Sequence, residues 1–411
     1  MKIAVLSDFH FGHASNTELE DDSFDNAEEA MNDALDSDLI IISGDVFDSR
    51  MPKTGIWAKA IKILVKPMLK ENTGVRLLEI NKELKDISKR TLKGIPLVVI
   101  HGNHERKARD EINAVEALEH AGILIYLHGN TAVFEKDGKK VAIHGMGNVP
   151  ERYAKTALDQ WNPQPVPGCF NILLIHQSID PYVFSPLEPP SLSLSNLPKG
   201  FDLIIDGHLH THIQDSVSGI PLVISGSTVI TQLEKSEAEI EKGLFKIELD
   251  GVPWINFTAL KNNRKFFYYE VELNQMLPLK EQIENVLNDV LNQEFSKKPL
   301  VKIKIRGKET DVADEELRHI VRKYSDKFSI MFVKELETPE MTKKIEFLRN
   351  LREEKLSVEE IGLQVLKKNL DELEFENIFD YEQAFSLLSE GDVEKLFNIL
   401  IGEQKVLGEF Q

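Results

Sequence analysis

Apolar positions along the first 262 residues fall into two kinds of run, short unbroken ones and longer ones with helical spacing, and the two alternate. Ile3 to Leu6, Leu39 to Ile42, Leu97 to Ile100, Ile172 to Ile175 and Leu203 to Ile205 are unbroken and of strand length. Such runs predict strands covered on both faces. Ile56 to Leu69 and Val75 to Leu92 predict helices, the second with apolar residues at Leu77, Ile80, Leu84 and Ile87. A third helix is predicted from Asp110 to Ala121, with Ile112, Val115 and Leu118 on one side and Gly122 as its stop. Gly138 to Gly145, Leu222 to Ser225 and Gly243 to Leu249 read as further strands that supply a second sheet facing the first. The predicted fold is α/β, a four-layer α-β-β-α sandwich over residues 1–262. Pro163, Pro165 and Pro167, and later Pro186, Pro189 and Pro190, mark two surface loops within it.

Residues 263–336 predict a small α+β unit with the order β-α-β-α-β: Phe267 to Leu273, Leu277 to Phe295, Leu300 to Arg306, Val312 to Tyr324 and Phe328 to Val333. In its middle strand Val301, Ile303 and Ile305 alternate with Lys302, Lys304 and Arg306, so one face is apolar and the other basic. Residues 337–411 read as all helical. Ser357-x-x-Glu360 is a capping box opening a helix to Leu373, and shorter helices follow at Tyr381 to Leu388 and Val393 to Ile401. Phe375, Phe379, Phe385, Leu388, Leu396, Phe397 and Leu400 are more apolar surface than so short a segment can bury by itself. It must dock on the chain's own body or on another protein; the second is expected.

Composition narrows the class. With 42% hydrophobic and 28% charged residues the chain is an ordinary globular protein, long enough at 411 residues for two or three domains. Neither a membrane span nor a secretory signal is expected, because no run of about 18 apolar residues exists and the opening apolar run is cut at once by Asp8, and an intracellular, cytoplasmic location is expected. The single cysteine, Cys169, excludes intramolecular disulfides and cysteine-rich zinc sites. A net charge of −19 argues against nucleic-acid binding through bulk positive charge. Yet Glu337 to Gln411 holds 18 acidic and 9 basic residues, nearly half of that excess. Two divalent ions would also bring about +4 to a site.

Five polar clusters carry the chemistry: Asp8-x-His10, Gly44-Asp45, Gly102-Asn103-His104-Glu105, His176 and Gly207-His208-Leu209-His210. Most follow a buried-looking strand directly, where layered α/β folds collect ligands. Hydrolysis of a phosphodiester needs a nucleophile stronger than neutral water and positive charge on the phosphoryl oxygens; a pair of metal ions supplies both. Asp45, after a buried strand and Gly44, is the natural carboxylate bridge. Asp8 and His10, two apart, would project to one side of an extended strand end, and His208 and His210 share that spacing. Asn103 offers an amide oxygen and His176 an imidazole. This oxygen and nitrogen set without thiolate suits two Mn²⁺, Fe²⁺ or Zn²⁺ ions. His104, directly after Asn103, should diverge from the ligand face and reads as the catalytic acid. His101, His128, His144 and His319 fit no ligand role, and His212 is either a surface histidine or a substrate contact.

These motifs, in this order, resemble the calcineurin-like metallophosphoesterase superfamily. Ser7-Asp8-Phe9-His10-Phe11-Gly12, Ser43-Gly44-Asp45-Val46-Phe47, Ile175-His176-Gln177 and Ser225-Gly226-Ser227-Thr228 look most like the nuclease subunit of the meiotic-recombination-eleven/SbcD double-strand-break repair complex, archaeal type. The resemblance implies one metal on Asp8, His10, Asp45 and His210, and the other on Asp45, Asn103, His176 and His208. It implies Mn²⁺-dependent 3'-to-5' exonuclease action on duplex ends and endonuclease action on single strands. It makes 263–336 a DNA-contacting capping domain and 337–411 the site of an SMC-like ABC ATPase partner, with homodimerisation through nuclease-domain helices. Family members often carry histidine where Asp48 stands, a position linked to exonuclease action. Asp48, Arg106, Lys107 and Arg109 are candidate substrate contacts, as is the Lys302, Lys304 and Arg306 stripe; solvent-facing charge is the alternative for both basic groups. Two other readings stand beside the nuclease: a metallophosphatase for phosphoproteins or nucleotides, and a DNA-end scaffold with secondary catalysis.

Overall fold

The computed structural model describes residues 1–83, 87–107, 111–183, 191–273, 276–308, 314–337, 358–372, 380–389, 393 and 395–397. Leu84, Arg109, Pro186, Pro189, Pro190, the capping-box Ser357 and most of the helix expected at Val393 to Ile401 lie outside the described residues. The chain opens on β1 (Lys2–Leu6), α1 (Asp22–Ala34), β2 (Leu39–Ile42), α2 (Thr54–Leu64), β3 (Arg76–Ile80) and β4 (Leu97–Val99). It continues through α3 (Ala114–His120), β5 (Ile125–Tyr126), β6 (Asn130–Lys136), β7 (Lys139–Met146), α4 (Glu151–Trp161) and β8 (Phe170–Ile175). Then come β9 (Ile179–Asp180), β10 (Leu192–Ser193), β11 (Leu203–Asp206), β12 (Ile213–Val217) and β13 (Ile220–Ile224). A single turn α5 (Lys235–Ala238) precedes β14 (Gly243–Glu248) and β15 (Trp254–Ala259).

One sheet has the order β15-β14-β1-β2-β4-β5 and the other β12-β13-β11-β8-β7-β6-β3. Alternation along the strands builds the layers. Ile3 and Val5 of β1, Leu39 and Ile41 of β2, Ile172 and Leu174 of β8 and Leu203 and Ile205 of β11 share one core between the sheets. The opposite faces, Ala4, Leu6, Ile40 and Ile42, pack under α1, α2 and α3 with Ala27, Ala30, Leu64 and Val115. On the far side Leu173, Ile175 and Ile204 pack under α4 with Ala154 and Leu158. The four-layer sandwich is therefore present. No helix among the described residues is long and apolar enough to cross a membrane.

Three expectations need correction. The five motif strands do not share a sheet: β8 and β11 pair in parallel with β7 and β13, while β14 joins the first sheet antiparallel to β1. All these runs are equally apolar, so pattern cannot say which sheet each enters. The described residues between Val75 and Leu92 form no helix; Arg76–Ile80 is a strand antiparallel to β6, with Arg76 paired to Glu135. Val75, Ile80 and Ile87 reach the inter-sheet core from an edge strand and the loop after it, a spacing that mimics a helical stripe. The third helix starts four residues later than expected, at Ala114, where the Asn113 side chain accepts from Glu116 N and leaves Ile112 exposed.

Beyond the sandwich, β16 (Phe266–Glu272), α6 (Leu279–Leu291), β17 (Leu300–Lys308), α7 (Asp314–Tyr324) and β18 (Ser329–Glu337) follow, with the sheet order β16-β17-β18. Val301, Ile303 and Ile305 are buried, as the alternation requires. By internal contacts the chain forms two units: Met1–Val271 with Lys280–Lys304 and Glu315–Val333, and Glu272–Leu279 with Ile305–Asp314 and the described residues from Lys334 onward. Within the first, Arg264 pairs with Asp22, Lys297 with Asp25 and Lys298 with Glu18. In the second, α8 (Val358–Glu372) and α9 (Tyr381–Ser389) meet where Gly362 lies against the Phe385 ring.

Candidate metal centre

Loops from the carboxyl ends of both sheets converge on one edge of the sandwich. Asp8 and His10 follow β1, Asp45 follows β2, and Asn103 to Glu105 follow β4; His176 follows β8, and His208 and His210 follow β11. The approach is close enough to require glycine: a Cβ on Gly102 would lie 2.0 Å from Asp45 Oδ1, and one on Gly207 2.2 Å from the Ser43 carbonyl. Asp8, His10, Asp45 and His208 adopt φ of 50°, 47°, 47° and 72°. Asp8 and His10 thus curl through left-handed backbone and do not continue the strand as expected. Such conformations cost about 1 to 3 kcal/mol each and cluster at functional sites.

All seven expected ligands come together. His10 Nε2 lies 3.1 Å from His210 Nε2, and Asp8 Oδ1 lies 3.8 Å from each. Asn103 Oδ1 lies 3.2 Å from both His176 Nε2 and His208 Nδ1, and Asp45 Oδ2 lies 3.4 Å from His176 Nε2. Ligand atoms of Asp8, His10 and His210 lie within 4.8 Å of one another, and so do those of Asp8, Asp45 and His176. Asp45 thereby stands between two donor groups. Both Asp8 carboxylate oxygens are buried without a hydrogen-bond partner, an arrangement that is costly unless a cation fills it.

Electrostatics agree. Burial pushes the Asp8 carboxyl up to about 6 against the lowering pull of His176. Burial would raise Asp45 too, but the His176 imidazole outweighs it and holds that carboxyl well below its usual range. His176 is the mirror case: burial lowers it, yet the charge of Asp45 drives it up to about 10. His208 falls to about 3, through burial and then His176, and His210 is held well below its ordinary value by burial and then His10. Divalent cations would satisfy the carboxylates and the neutral His208 and His210 imidazoles together and would take the place of the proton on His176, so these residues fit a metal pair.

Three of the four imidazoles have a polar neighbour at the second nitrogen, which bears on tautomer and aim. His176 Nδ1 donates to the Ser43 carbonyl at 2.7 Å, His10 Nδ1 lies 3.2 Å from Asp48 Oδ1, and His210 Nδ1 lies 2.5 Å from Thr231 Oγ1. His104 differs in being half-exposed. Its backbone N–H donates to Asp45 Oδ1 at 2.9 Å and its Nδ1 to the Asp48 carbonyl at 2.9 Å, with its ring edge-on to His10 at 4.7 Å. It borders the ligand group and does not diverge from it: a ring nitrogen lies within 4.8 Å of ligand atoms of His10 and Asp45.

Asp48 faces protein more than solvent, with Oδ1 also 3.5 Å from His13 Nδ1 and 3.8 Å from His104 Nδ1. Arg106 is half-buried near His208, and Lys107 pairs with Glu116 at 2.8 Å. In the basic stripe Lys302 donates to the Leu233 carbonyl at 2.9 Å and Arg306 pairs with Glu335 at 2.9 Å. His101 bonds the Asn148 carbonyl and Tyr126, His144 bonds Thr131 and Asn171, and His212 stacks on Phe257 at 3.7 Å.

Several supporting residues carried no assigned role in the motif reading. Glu105, fully buried and pushed up to about 8 by burial and then by Asp45, accepts from Phe47 N at 2.6 Å and Gly102 N at 2.7 Å, tying two ligand loops together. Asp206 accepts from Gln177 N, and Asn148 donates to the His176 carbonyl. Glu105 sits inside a recognised cluster, which was the available signal; Asn148 had none.

Fold and donor set together define a metal-dependent phosphoesterase. Residues 1–212 match the family model described as Calcineurin-like phosphoesterase, and the chain belongs to that family. Within it, the chain is 29% identical over 339 residues to the DNA double-strand break repair protein Mre11 of Thermoplasma acidophilum, covering 78% of this chain and 80% of that one. It is 28% identical over 319 residues to the Sulfolobus acidocaldarius protein of the same name, covering 75% of each. Against that of Methanopyrus kandleri it is 25% identical over 297 residues and covers 66% of this chain but only 59% of the relative. The chain spans about half the length of the plant relatives, 51% for that of Oryza sativa.

Proposed function

We propose that the protein is a two-metal nuclease that processes DNA ends in double-strand break repair. The observation that carries this reading is the convergence of Asp8, His10, Asn103, His176, His208 and His210 around Asp45, with both Asp8 oxygens buried and without a hydrogen-bond partner. Its extension to DNA repair is supported by relatives named for that process, aligned over a span longer than the 1–262 sandwich.

Asp8, His10 and His210 would hold one ion, Asn103, His176 and His208 the other, and Asp45 would bridge them. When bound, a divalent pair supplies positive charge against the phosphoryl oxygens and makes a shared water more acidic. Mn²⁺ is the proposed metal. His104, anchored through Nδ1 on the Asp48 carbonyl, has Nε2 left to give a proton to the departing sugar oxygen. Asp48, with Oδ1 3.2 Å from His10 Nδ1, would help orient that imidazole, and Arg106 would meet the substrate backbone. The proposed activities are 3'-to-5' exonuclease on duplex ends and endonuclease on single strands, with exonuclease action reduced because Asp48 replaces a histidine. In this reading 263–336 caps the nuclease domain, the helices of 337–411 bind an SMC-like ABC ATPase, and nuclease-domain helices form a homodimer.

Incubation with Mn²⁺ and end-labelled duplex, in parallel with a phosphopeptide, separates nuclease from phosphatase. Shortening of the duplex is expected. Phosphate release from the peptide with intact DNA would reject the proposal.

A further inference from the structure

His210 is gripped from two directions by residues outside every motif. Lys242, 1% exposed at its side chain, spends its ammonium on three acceptors: Glu237 Oε1 at 2.9 Å, Ser227 Oγ at 2.8 Å and the His210 carbonyl at 3.1 Å. Its partner Glu237 is equally buried and accepts from three successive amides, Thr231 at 3.2 Å, Gln232 at 2.7 Å and Leu233 at 2.9 Å. That collar fixes the backbone of Thr231, whose Oγ1 sits 2.5 Å from His210 Nδ1. Lys302 of β17 pins the same turn by donating to the Leu233 carbonyl.

A buried ion pair is weak as a device for stability alone, since apolar residues of similar volume often serve as well. Apolar side chains, however, could neither hold the His210 carbonyl nor present a hydroxyl to its ring. We propose that Thr231, Glu237 and Lys242 form a positioning clamp that sets the tautomer and aim of His210 for metal binding. With Nδ1–H donating to Thr231, the Nε2 lone pair faces His10 and Asp8. The clamp rests on the reading of His210 as a ligand, so its test must separate the two.

The experiment is calorimetric titration of the metal-free full-length protein with Mn²⁺, with thermal unfolding of each variant as a folding check. Thr231→Val keeps the side-chain volume and removes the hydroxyl. It should weaken one of two sites about 10- to 100-fold and leave the other unchanged, with kcat on DNA falling and KM holding. Thr231→Ser should restore both, and Lys242→Met should weaken the same site. If Thr231→Val binds two ions like the parent while His210→Ala loses one site, the clamp is wrong. If His210→Ala itself keeps both sites, the ligand assignment beneath the clamp is wrong.

Discussion

His104 is half-exposed while His10 and His176 are fully buried and His208 and His210 nearly so, as the proposed division between an acid and metal donors requires. His104→Gln should therefore lower kcat by about 10² to 10⁴ and leave Mn²⁺ affinity within a factor of two, read by single-turnover cleavage and calorimetry. Survival of cleavage would remove His104 as the acid. His101 offers a separate test. Burial, and then the charge of His128, lower it to about 3, and it bonds the Asn148 carbonyl and Tyr126. The folded state keeps this imidazole neutral, whereas the unfolded chain protonates it below its ordinary value of 6.5. Stability is then full above pH 6.5 and is lost as pH falls towards 3. Between pH 7 and pH 5 the loss is about 2 kcal/mol, and His101→Gln should remove that part of the slope in urea titrations of metal-free protein. The donor residues were legible in the sequence because metal binding admits few side-chain types. Glu237, Lys242 and Asn148 were not, because a buried hydrogen bond can be supplied from any loop the fold brings near.

Strand ends make the site, and what aligns them is steric. Because Gly102 and Gly207 sit where no Cβ fits, Gly207→Ala should push the loop after β11 from Ser43 and His176. The expected result is at least a ten-fold loss of Mn²⁺ affinity with the far-ultraviolet spectrum unchanged; unaltered binding would mean the loops are not held by that contact. The strands themselves were readable from uninterrupted apolar runs such as Leu39–Ile42 and Leu203–Ile205. Their partition was not, since β8 and β11 are as apolar as β1 and β2 and the choice of partner depends on contacts across the whole chain. Arg76–Ile80 was misread for a related reason: an edge strand with one buried residue leaves too little alternation to outweigh the helical spacing of its neighbours.

At the scale of the molecule, the acidic tail and the catalytic sandwich separate by composition, and function should divide along the same line. Deleting residues 338–411 should preserve Mn²⁺-dependent cleavage per mole of protein and abolish co-purification with the proposed ATPase; a retained complex would place that contact elsewhere. The central claim, a divalent pair bridged by Asp45, is tested most directly by anomalous diffraction at the manganese edge from crystals soaked in Mn²⁺. Two peaks are expected, one among Asp8, His10 and His210 and one among Asn103, His176 and His208, with Asp45 between them. A single peak at saturating metal, or a pair lying away from Asp45, would contradict it.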